Sequence, residues 1–82
     1  MIYFVSHEYT DKGQNLTIMD ADAVKALHAE RIKLFEKTDA ADAEVAARLS
    51  EDEILHDYEV VHWARRCDGK EALLRAVNEM VQ

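Results

Sequence analysis

The chain has 82 residues, 49% of them hydrophobic, and carries a formal net charge of −7. The apolar fraction excludes a chain that is disordered for lack of hydrophobic residues, and the length predicts one small domain over residues 1–82 with a modest core. The negative charge argues against direct binding to nucleic acid or to anionic membranes, and the single cysteine excludes an intrachain disulfide, so a cytoplasmic setting is expected.

The first predicted element is a β-hairpin over about residues 2–19. Residues enriched in strands stand on either side of a turn-rich cluster around Gly13. Alternation places Phe4 on one face and Val5 on the other. Because both faces begin apolar, helices are expected to cover one of them and something else to contact the second.

Helical segments fill the rest of the chain. Asp20 and Asp39 are candidate N-caps, and Ser50 with Glu53 has the spacing of a capping box. Since the chain contains no proline, the breaks depend on capping residues alone, and one continuous helix through 38–39 remains an alternative. The predicted helices cover about residues 21–37, 39–49, 51–67 and 70–81. The fold class is therefore α+β, with an N-terminal β-hairpin followed by three or four packed α-helices.

The predicted helix over 51–67 is apolar on two sides, whereas most helices of small domains bury only one. Its second stripe consists of Val60, Trp63, Ala64 and Cys67. Tryptophan is enriched at interaction hot spots, and an apolar patch outside the core commonly marks a contact site. This stripe predicts a self-association patch, unless another helix of the same domain covers it.

The sequence gives little support for a catalytic or metal site. The pairs Glu53 with His56 and Glu59 with His62 have the spacing used in di-iron helix bundles, but both lie on one predicted helix and point about 120° apart around it. Cys67 would lie near a helix C-terminus, where the dipole disfavours a thiolate. We therefore expect no catalytic residues, no metal and no cofactor, and the chain is not expected to be an enzyme.

The negative charge lies in one block. Residues 36–59 carry nine acidic and two basic side chains, and the remainder of the chain is neutral. Helical acids three or four residues apart repeat every 4.5–6 Å or so along the axis, comparable with roughly 3.4 Å per phosphate of a nucleic-acid strand. The alternative is a solvated face that only keeps the domain soluble. The candidate partner-binding acids are Glu36, Asp39, Asp42, Glu44, Asp52, Asp57 and Glu59.

These features predict a small acidic, non-catalytic binding protein. Its partner is expected to be a basic protein, one that handles nucleic acid, engaged through the acidic helical surface. No motif identifies a family. On size and charge only, the predicted mode of action is inhibition by nucleic-acid mimicry, as in small phage or mobile-element inhibitors such as anti-CRISPR proteins. The alternative is a homodimeric structural or regulatory module that associates through the Trp63 patch.

Overall fold

The computed structural model describes residues 1–81 as an α+β fold, which confirms the predicted class. An antiparallel hairpin comes first, and four helices and one short strand follow. In chain order the elements are β1 (Ile2–Thr10), β2 (Gly13–Asp20), α1 (Ala21–Thr38), α2 (Ala40–Ala47), α3 (Glu51–Val61), β3 (Arg65–Asp68) and α4 (Lys70–Val81).

The three strands form one antiparallel sheet in the order β2-β1-β3. The hairpin register places Val5 opposite Ile18, and β3 continues the sheet by placing Cys67 opposite Tyr3. β1 is therefore the central strand, with both of its edges paired.

The Phe4 face of the sheet packs against α1 and α3. Phe4 is fully buried and meets the Tyr58 ring edge-on at 5.6 Å between ring centroids. The buried members of this cluster are Phe4, Val24, Leu55, Tyr58 and Ala64. They form the larger of the two apolar clusters that hold the sheet to its helices.

The opposite face packs against α4. Val5 is fully buried there, beside Cys67 of β3 and Ala76 of α4. An ion pair between Arg65 and Glu79 also joins β3 to α4. Both faces of β1 are therefore covered, in agreement with the apolar start of each face in the sequence.

The predicted helix starts are confirmed by their caps. The Asp39 side chain accepts from the backbone N–H of Asp42, so α1 ends and α2 begins as separate helices, and the continuous alternative is wrong. The Ser50 hydroxyl accepts from the N–H of Glu53 at 3.2 Å, and the Glu53 carboxylate accepts from the N–H of Ser50 at 3.3 Å. The capping box thus satisfies two donors that α3 would otherwise leave unpaired.

Removing the cap is expected to lower stability measurably. Ser50→Ala deletes the oxygen that accepts from Glu53, and loss of such a cap typically costs about 1 kcal/mol. Urea unfolding followed by circular dichroism measures the change. Ser50→Thr keeps the hydroxyl and is expected to stay close to wild type; equal losses in both variants would contradict a capping role.

The predicted helix over 51–67 is wrong in its last third. α3 ends at Val61, Trp63 has a positive φ of 53°, and Arg65–Asp68 form the third strand. The backbone N–H of Ala64 donates to the Glu59 carbonyl at 3.0 Å, which closes the helix in a Schellman-type arrangement. The chain leaves the helix here because a turn at Trp63 lets β3 pair with the free edge of β1.

Candidate protein-interaction surface

The acidic block lies on α1, α2 and α3. These helices are neighbours, because α2 and α3 both pack against α1. Lys25 lies 3.4 Å from Glu51, and Arg31 lies 3.8 Å from Asp57. In both pairs the partners are 26 residues apart, so α1 and α3 run in the same direction. The His28 imidazole lies 2.9 Å from the Ala46 carbonyl and joins α1 to α2.

Three of the seven candidate acids have ionisable neighbours within ion-pair distance. Glu44 lies 3.6 Å from Arg48, and Asp57 pairs with Arg31. Glu59 lies 3.6 Å from His56, which compensates it only when the imidazole is protonated. Since exposed pairs contribute about 1 kcal/mol or less, these contacts reduce the local charge without fixing the surface.

The other four acids keep their charge. Glu36, Asp39, Asp42 and Asp52 are exposed, and within residues 1–81 none of them lies within 4.0 Å of a basic nitrogen. Asp39 is occupied as the cap of α2. Of the candidate acids, one without a basic partner therefore remains on each of the three helices: Glu36 on α1, Asp42 on α2 and Asp52 on α3.

The break at Asp39 changes how the acids are arranged. Sequence spacing places Glu36, Asp39 and Asp42 in one row only if the helix is continuous, and the two helices make that row impossible as a helical repeat. The relative positions of the acidic side chains are instead set by the packing of the three helices. At 1.5 Å per residue, the ten-residue offset along the parallel α1 and α3 places Asp52 and Glu36 about 15 Å apart along the common axis.

An open groove of about 230 Å³ lies between these helices. Its apolar lining comes from Phe35 of α1 and from Val45 and Leu49 of α2 and the segment after it, while Asp42 and Asp57 also line it. The sequence predicts no groove at Val45 and Leu49. The available signal is their four-residue spacing, which would put both on one face of a helix that reached Leu49; α2 ends at Ala47, and Val45 is 63% exposed.

The four residues of the predicted self-association patch do not lie on one surface. Val60 and Trp63 are exposed, at 60% and 91%, but Ala64 and Cys67 are buried, at 8% and 3%. The four residues share a face only on a helix that reaches Cys67, and α3 ends before it. Ala64 belongs to the cluster under α1 and α3, and Cys67 to the cluster under α4.

The histidines and the cysteine occupy separate places. Among residues 1–81 no three His, Cys, Asp or Glu side chains come together as a metal site would require. Burial is the largest influence on the Cys67 thiol and raises its pKa, although Arg65 acts in the opposite direction. A raised pKa disfavours the thiolate, which is the nucleophilic form of cysteine.

Comparison of the chain with protein-family models, with curated proteins and with solved structures finds no significant match. Within residues 1–81, none of the helices has both the length and the apolar character needed to cross a bilayer. The candidate surface must therefore be interpreted from its own charges and shape.

Proposed function

We propose that this chain is a small acidic, non-catalytic binding protein that engages a basic, nucleic-acid-handling protein in the cytoplasm. The surface formed by α1, α2 and α3 makes the contact. The partner's nucleic-acid groove receives it, so the chain inhibits by mimicry, in the manner of phage or mobile-element inhibitors of the anti-CRISPR type.

The observation that carries the proposal is the distribution of uncompensated charge. Glu36, Asp42 and Asp52 each come from a different helix, and all three are exposed without a basic partner in residues 1–81. Along the common axis of α1 and α3, Glu36 and Asp52 lie about 15 Å apart, a length that corresponds to four or five phosphates at roughly 3.4 Å each. A basic groove that binds a nucleic-acid strand would therefore contact negative charge over a comparable length on this surface.

The same physics that drives nucleic-acid binding supplies the affinity. Basic residues that line such a groove attract these carboxylates as they attract phosphates, and complementary charge accelerates association most at low salt. Affinity for the partner is therefore expected to fall steeply as salt rises. Binding through the apolar groove alone would be nearly independent of salt.

Charge reversal on the surface is expected to abolish partner binding. In E36K/D42K/D52K the three uncompensated acids become lysines, which replaces attraction by repulsion across the interface. The immobilised chain is used to capture proteins from its native host cell, with identification by mass spectrometry. Binding of the purified partner is then measured at low and high salt, in competition with labelled duplex DNA.

The chain offers a matched control. Glu8 and Asp11 of the hairpin and Glu71 of α4 lie outside the three helices and have no ion-pair partner within residues 1–81, so E8K/D11K/E71K changes the net charge by the same amount. This variant is expected to keep the partner, and both variants are expected to keep the wild-type helical circular dichroism. Loss of binding in both, or in neither, would reject the proposed surface.

A further inference from the structure

Trp63 occupies a backbone conformation that favours glycine. Its φ is 53°, in the left-handed region, and it stands just beyond the end of α3. Glycine predominates at this position of a Schellman motif because a side chain there clashes with the backbone. The chain itself uses glycine at Gly69, where φ is 91°. Local structure alone therefore favours glycine over tryptophan at position 63.

The Trp63 side chain contributes little to the packing of the fold. It is 91% exposed, the highest exposure among the large apolar residues of the described chain, and it belongs to neither apolar cluster. Exposed Val60 and Val61 precede it at the end of α3. An indole that strains the backbone and remains in water indicates a contact outside the chain.

His62, the residue before Trp63, lines a groove that can receive an indole. This groove, about 440 Å³ in volume, is enclosed by the Phe4 face of the hairpin, α1 and α3. Met19, Leu27 and Tyr58 provide its apolar lining, and His62 lines it immediately before Trp63 in the chain. We propose that Trp63 inserts into this groove of a second copy of the chain, so that two copies exchange their indoles about a two-fold axis.

A two-fold interface requires the inserting indole and the receiving groove to lie on the same face of the molecule. In a two-fold interface the same patch serves both partners, so each must present the inserting group and the receiving groove side by side. Trp63 and His62 satisfy this condition because they are consecutive. A groove on the far side of the molecule would instead lead to open-ended association.

The chemistry of the groove matches an indole. The His62 and Tyr58 rings lie 4.4 Å apart at 31°, and a third flat ring extends that stack. Indole has a single N–H donor and no acceptor. Glu8 also lines the groove, is exposed, and forms no ion pair within residues 1–81, so its carboxylate is free to accept that hydrogen bond.

The buried area fits a reversible dimer. Two indoles at about 150–250 Å² each, with the groove surfaces that cover them, account for roughly 600–1,000 Å². The exposed Val60 and Val61 bring the total towards the lower bound of about 1,200 Å² for specific stable interfaces. The dimer is therefore expected to dissociate on dilution.

Trp63 is the only tryptophan in the sequence, so intrinsic fluorescence reports its burial directly. As wild-type concentration rises from micromolar to millimolar, we expect the sedimentation mass to double and the emission to shift to the blue. Trp63→Gly is expected to remain monomeric over the same range, and its thermal midpoint is expected to rise by several degrees because the turn is relieved. Leu34→Ala, at a residue that is 62% exposed on α1, is the control and is expected to dimerise normally.

A second variant tests the groove. Thr17→Trp fills it from the exposed strand β2 and is expected to be monomeric although Trp63 is intact. Mixing this variant with Trp63→Gly restores one of the two insertions and is expected to give a weak heterodimer. A wild type that stays monomeric at millimolar concentration would overturn the proposal, as would a Trp63→Gly variant that still dimerises.

Discussion

Phe4→Ala is expected to leave the protein largely unfolded at room temperature in mild denaturant. Phe4 is fully buried between the sheet, α1 and α3, and its ring contacts Tyr58 edge-on. Replacing a buried phenylalanine by alanine costs about 3–5 kcal/mol. A chain of this length has about 4–12 kcal/mol of stability in total. Urea unfolding is expected to show a midpoint shifted to a much lower concentration.

Phe35 supplies the matched comparison. It has the same side chain but is only half-buried, near the end of α1, where it lines the open groove. Because its surroundings can close over the missing ring and part of it is already hydrated, Phe35→Ala is expected to cost a fraction of the Phe4→Ala loss. Equal losses would show that Phe4 is not the centre of the larger cluster.

Features with local causes were predictable from the sequence. The capping box needs only Ser50 and Glu53, three residues apart, and it forms with both hydrogen bonds. Asp39 likewise ends one helix and caps the next through a contact with Asp42. The hairpin follows from strand formers around a turn that contains Gly13, where φ is 125°.

β3 was not predictable because its cause is not local. Residues 65–68 contain two arginines, a cysteine and an aspartate, which show no alternation of apolar and polar residues. They become a strand because they pair with β1, 60 to 66 residues earlier in the chain. Tryptophan at a left-handed position gives no signal either, since the residue expected there is glycine.

The candidate surface was predictable in charge but not in arrangement. Counting acids along the chain locates the block correctly on α1, α2 and α3. Which of those acids have a basic partner depends on distances between helices. Asp57, for example, pairs with Arg31 because α3 packs beside α1. The groove likewise exists only because α2 turns back onto α1.

Cys67→Asp is expected to unfold the protein at neutral pH. Cys67 is 3% exposed on β3, packed beside Val5 and Ala76 under α4. An ionised carboxylate there has no basic partner inside the cluster, and an uncompensated buried charge costs several kcal/mol. Chemical denaturation, compared with Cys67→Ala to account for the lost thiol, measures the effect.

The pH dependence of that loss identifies its cause. Burial raises the pKa of the introduced carboxyl above its value of about 3.9 in the unfolded chain. The penalty relative to wild type is therefore small below pH 4 or so, grows as pH rises above the unfolded pKa, and levels off above the folded pKa. Arg66→Asp, one residue away at an exposed position, is expected to change stability by about 1 kcal/mol or less. A severe effect confined to Cys67 would show that this side chain is buried while its neighbour is exposed; mild effects in both variants would contradict its place in the cluster under α4.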